Sequence, residues 1–274
     1  MSKRVKRAFL DTEDGQILYR IAGEGQALVL LHMNPRSSDE FRELIPIFAQ
    51  NYRVIAMDLM GFGDSDKPPR IYSIADYAKT IIALLDELGI EKANILGNHT
   101  GAYIAAEVAA EYPQRVEKII LSNIDKFSEQ QMEAYLNKNL GTYQIKSDNS
   151  QLIERLSSRS IYTDSAELNF RCFLEELKCY GYPPYGSLAV KEYCSIIQER
   201  LSLINCPTLI LSGTENIKAL VKIGLSQPEN RTSITKIISQ AKFVEIEGGT
   251  FLMMNQKVEE ISNLVIKFID IIDN

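Results

Sequence analysis

Gly97-Asn98-His99-Thr100-Gly101 lies between an apolar, β-prone run, Ala93 to Leu96, and a small-residue stretch that reads as helix as far as Glu111. A strand must turn sharply into a helix here, with a glycine two residues before the tip and another two after it. Such glycines are needed where the tip residue takes a positive φ and the strand and helix backbones come close. This is the build of a nucleophile elbow, whose usual form is G-x-S-x-G. The middle residue here is His99, so the bend is written in the sequence and the hydroxyl is not.

The rest of the chain arranges itself around that corner. Lys6 to Leu10 and Gln16 to Ile21 read as a hairpin about Asp14-Gly15. Ala27 to Leu31, Tyr52 to Met57 and Val116 to Leu121 are continuous apolar runs, as strands buried on both faces require. Ser37 or Ser38 is placed to cap a helix running to about Gln50, and Ser73 one that ends at Gly89. From Lys126 to about Leu203 the apolar spacing is helical, interrupted by the turn-rich stretch from Tyr180 to Gly186. Strands return at Thr208 to Leu211 and Lys242 to Ile246, and a final helix is expected from about Asn255 to Ile272. The pattern predicts an α/β chain with a doubly wound, mostly parallel sheet. Residues 1–125 and 204–274 form its core, and residues 126–203 a helical lid inserted after strand 6.

Composition narrows the function. The 274 residues carry a net charge of −6, which argues against nucleic-acid and anionic-membrane partners. The basic start at Met1 to Arg7 meets Asp11 before any apolar leader develops, so a cytoplasmic protein is expected. Cys172, Cys179, Cys194 and Cys206 lack metal or C-x-x-C spacing and read as free thiols, with Cys172 and Cys179 sharing a helix face. No clustered metal ligands, Walker motif or placed G-x-G-x-x-G is present, so neither metal nor organic cofactor is expected. A small-molecule substrate is the expected partner, and oligomeric state is not readable.

Over nearly its whole length the chain resembles the α/β-hydrolase superfamily. The resemblance rests on Leu28 to Arg36, on the Asp-x-x-Gly-x-Gly-x-Ser turn within Val54 to Pro68, on Ile95 to Pro113, and on Cys206 to Gly213. It implies an elbow nucleophile, an acid after strand 6 or 7, a histidine after strand 8 and a lid that shapes the pocket. Those positions are here His99, Asn216 (with Glu215 beside it) and Thr250, and the oxyanion loop is His32-Met33-Asn34. Fold is thus implied strongly and ordinary serine hydrolysis poorly.

The chain has two histidines, His32 and His99, both at pocket positions. By the resemblance, His32 packs beneath the oxyanion loop. His99 is either a decayed serine or a working base, since an imidazole exchanges protons near neutrality. Backbone N–H groups of Thr100 and of Met33 or Asn34 would form the oxyanion hole; the Thr100 side chain lies past the tip and is discounted. Arg36 is a candidate clamp for a substrate carboxylate, or an ion-pair partner of Asp39, Glu40 or Glu43. Asp125 either orients His99 or caps the next helix. Tyr162, Tyr180, Tyr182 and Tyr185 line the pocket or simply pack in the lid. Asp58 and Asp64 belong to a structural turn.

Three functions are consistent with these residues. The first is a lyase, decarboxylase, cyclase or isomerase acting on a small, largely apolar carbonyl or carboxylate metabolite, with His99 as acid/base. The others are a catalytically inactive ligand-binding member of the fold and a hydrolase with relocated groups.

Overall fold

A computed structural model describes residues 4–139, 143–163, 165–227 and 232–271. Its sheet has eight strands: β1 (Lys6–Thr12), β2 (Gly15–Ala22), β3 (Ala27–Leu31), β4 (Arg53–Met57), β5 (Ala93–Asn98), β6 (Val116–Ser122), β7 (Thr208–Gly213) and β8 (Ala241–Ile246), in the order β1-β2-β4-β3-β5-β6-β7-β8. Only β1 with β2 and β2 with β4 pair antiparallel; the remaining pairs are parallel. The central strands β3 and β5 are buried along their full length, as their unbroken apolar runs require.

Helices cover both faces. On one lie α2 (Ile74–Glu87) and α3 (Thr100–Glu111), on the other α1 (Ile45–Phe48) and α11 (Val258–Ile269), each in its own apolar cluster with alternate strand residues. Ser73 and Asp76 close a reciprocal capping box on α2. The helix expected from Ser37 to Gln50 is broken. Ser37 caps only a 3-10 turn, Ser38–Phe41, and α1 restarts at Ile45 with Pro46 in its first turn. Proline lacks the N–H needed within a continuous helix but is tolerated at a helix start.

The described residues between β6 and β7 form five α-helices and no strand: α4 (Glu129–Asn139), α5 (Ser150–Arg159), α6 (Ala166–Leu177), α7 (Tyr185–Tyr193) and α8 (Ile197–Ser202). The final helix is split into α10 (Met253–Gln256) and α11; its expected end at Ile272 lies outside the described residues, as do Met1 to Lys3. The four cysteines are free thiols, and Cys179 sits beyond the end of α6 rather than on one helix face with Cys172. Among the described residues no helix is long and apolar enough to cross a membrane.

Candidate active site

The elbow folds as its glycines require. His99 takes φ 47°, between β5 and α3. A Cβ on Gly97 would stand 2.1 Å from the Gly101 carbonyl oxygen, and one on Gly101 2.0 Å from that of Leu31. Neither position can hold another residue without moving backbone, so the corner closes only with glycine at both.

His99 lines a cavity of about 260 Å³ between the carboxyl ends of the strands and the inserted helices. Its Nε2 is buried and has no hydrogen-bond partner. Burial pushes its pKa down to about 4, against the opposing pull of the Asn216 side chain. The imidazole is therefore neutral at physiological pH, with one ring nitrogen free to take a proton. Asn216, in the loop-to-helix start of α9 (Thr214–Lys222), lines the same cavity, and its Nδ2 is also unpartnered.

The loop after β3 forms the facing wall. Met33, Asn34 and Thr100 line the cavity. The Met33 N–H is already spent on Glu40 Oε2 at 2.8 Å. Among the described residues no hydrogen bond engages the N–H of Asn34 or of Thr100, which leaves this pair for a developing oxyanion. Thr100 Oγ1 donates to Asn34 Oδ1 at 2.6 Å, and Asn34 Nδ2 donates to Ser187 Oγ on α7 at 3.2 Å. Elbow, loop and inserted helices are thus tied together at Asn34.

Several residues expected at the site lie elsewhere. His32 is fully buried below the loop. Its Nδ1 meets the Met33 carbonyl at 2.8 Å and its Nε2 accepts from Leu59 N–H at 2.9 Å, so neither nitrogen is available. Burial lowers its pKa to about 4 as well. Arg36 is fully buried behind the cavity wall. It reaches Asn255 Oδ1 at 3.4 Å and forms no ion pair with Asp39, Glu40 or Glu43. Asp125 neither meets His99 nor lines the cavity, and its Oδ1 accepts its neighbour's N–H from Lys126 at 2.7 Å. Tyr182 is exposed at the surface with Lys67 over its ring. Thr250 turns its hydroxyl to Gln256 at 2.6 Å. Tyr162 does line the cavity, edge-on to Phe251.

Other residues of the site are not among the candidates read from the sequence. Glu40, fully buried, holds both Met33 N–H and the Asn98 side chain, and burial raises its pKa to about 7 despite Arg36 nearby. Arg155 and Arg159 on α5 and Glu176 on α6 also line the cavity. The four-residue spacing of Gln151, Arg155 and Arg159 was the available signal, since it puts three polar side chains on one helix face.

Comparison with known proteins agrees with this architecture. Residues 26–146 match a family model described as the alpha/beta hydrolase fold. The chain is 37% identical over 103 residues to a soluble epoxide hydrolase of Corynebacterium sp. (strain C12), covering 38% of this chain and 36% of that protein. It is 36% identical over 130 residues to 2-hydroxy-6-oxo-6-phenylhexa-2,4-dienoate hydrolase of Comamonas testosteroni, 44% of each chain. These matches span less than half the length of either relative. The solved structure of E-2-(acetamidomethylene)succinate hydrolase superposes with a TM-score of 0.79 at 18% identity, over 98% of this chain and 100% of that one. The fold is thus that of the α/β hydrolases.

Proposed function

We propose that this chain, whose fold is that of the α/β hydrolases, is an enzyme that uses the His99 imidazole, in place of an elbow hydroxyl, as the proton-transferring group. The observation that carries this reading is the neutral, buried, unpartnered Nε2 of a residue held at positive φ in the cavity wall. No folding role requires an unsatisfied nitrogen there, and its burial costs stability unless a ligand uses it.

His99 takes a proton from the carbon beside a substrate carbonyl, and the electron pair left behind moves onto the carbonyl oxygen. The carbonyl oxygen, becoming negative, is held by the N–H groups of Asn34 and Thr100. Asn216 faces the ring and orients it. The charge on that oxygen favours the imidazolium, so a base that is weak in the empty cavity strengthens as the reaction proceeds. A curated relative that matches 44% of this chain is named for a hydrolysis of an oxo-dienoate, which supports a carbonyl compound as substrate class. The test is turnover of a panel of small oxo compounds by the wild type and by His99→Gln, with the loss of turnover in the variant as the expected result.

A further inference from the structure

Helix α5 turns polar side chains inward. It buries Gln151 and Arg159, at 6% and 4% exposure, and leaves Ile153 73% exposed. Burying a guanidinium is costly unless it is fully paired. Here the pairing is incomplete. Glu176 receives Arg155 in a two-pronged bond, Nε to Oε2 at 2.7 Å and Nη2 to Oε1 at 2.9 Å. Arg159 reaches the same carboxylate, so one anion serves two cations, and Arg159 Nε has no partner at all. Burial and the like charges of Arg155 and Arg36 work against the Arg159 cation. Arg36 itself keeps Nε and Nη2 unpartnered.

The two arginines also stand at a boundary. They line both the inner 260 Å³ cavity that holds His99 and an outer cavity of about 740 Å³. Among the described residues the outer cavity is lined by Lys138, Arg155 and Arg159 and by no acid, on a chain whose net charge is −6. A cationic passage in an acidic protein focuses anions toward its floor.

We propose that Arg155 and Arg159 form a carboxylate subsite, so that the substrate is an oxo-carboxylate that enters through the outer cavity, leaves its carboxylate at the arginines and presents its carbonyl to the inner cavity. This rests on the reading of that inner cavity as the reactive site, but its binding step can be tested apart from the chemistry. Calorimetric titration of the wild type with 4-oxopentanoate, 5-oxohexanoate and 7-oxooctanoate, and with their methyl esters, is the experiment. At least one acid binds about tenfold or more tighter than its ester. Arg155→Gln and Arg159→Gln each lose that preference. Glu176→Gln, which removes the competing carboxylate, widens it, a result that a merely structural role for Glu176 would not give. His99→Ala keeps the preference. An acid preference without turnover of any of these compounds supports the subsite and counts against His99 chemistry. Equal affinity for acid and ester, no binding of any acid, or a preference unchanged in both arginine variants overturns the subsite.

Discussion

Glu40 Oε1 accepts the side-chain amide of Asn98 at 2.5 Å, and Asn98 is the residue that precedes the elbow tip. Because the other oxygen of Glu40 holds Met33 N–H, one buried carboxylate sets the spacing between the elbow and the loop opposite it. Asn98 Oδ1 in turn accepts from Ser122 on β6. The wall around His99 is thus fixed by a polar chain inside an otherwise apolar sheet.

The pH dependence of stability tests that chain. The Glu40 pKa is raised from 4.5 to about 7 in the fold, so its neutral form favours folding and its ionised form opposes it. Its stabilising contribution is complete below pH 4.5 and is lost as pH rises through 7, by about 3 kcal/mol. His32 and His99 pull the other way, because both are lowered in the fold and lose stability as pH falls from 6.5 through 4. The difference between Glu40→Gln and wild type isolates Glu40. In urea titrations across this range the stability of the variant relative to wild type rises with pH, and a flat difference counts against a raised Glu40.

His99 itself titrates low. Imidazole resonances missing from His99→Gln assign it in a nitrogen-proton correlation spectrum. We expect a midpoint near 4 in the ligand-free protein, from burial against the weak opposing pull of Asn216. A midpoint near 6.5 would mean that the ring is solvated.

Gly101→Ala places a methyl group 2.0 Å from the Leu31 carbonyl oxygen, which belongs to a central strand and cannot yield. A loss of at least about 3 kcal/mol, or failure to fold, is the expected outcome of chemical denaturation.

Thr100→Val removes the donor to Asn34 Oδ1. It lowers stability by about 1 kcal/mol and keeps the fold. Because the Thr100 backbone N–H remains, activity falls only in proportion to the loosened loop. Abolished turnover in this variant would revive the hydroxyl as a nucleophile.

The sheet and the elbow were legible in the chain because both are local signals. Buried parallel strands are unbroken apolar runs, and the glycines at 97 and 101 follow from backbone clearance alone. Pro46 was equally local, and it limits α1 in a way that reading Ser37 as the cap of one long helix overlooked. The cavity lining was legible mainly where the turns themselves set it, at Met33, Asn34, His99, Thr100 and Asn216. Tyr182 shared composition with the lining Tyr162, yet which of them faces inward depends on helix packing that spacing does not encode. Glu40, Arg155 and Glu176 acquire their roles from partners 58 residues away in the first case and 21 in the others, which no local pattern encodes.

The most direct measurement of the proton-transfer claim is proton-deuterium exchange beside the carbonyl of 5-oxohexanoate, followed by NMR in heavy water. Exchange accelerated by the wild type and reduced roughly 100-fold to 10,000-fold in His99→Gln is the expected result. Equal exchange rates in wild type and His99→Gln, or no acceleration by the wild type, would contradict it.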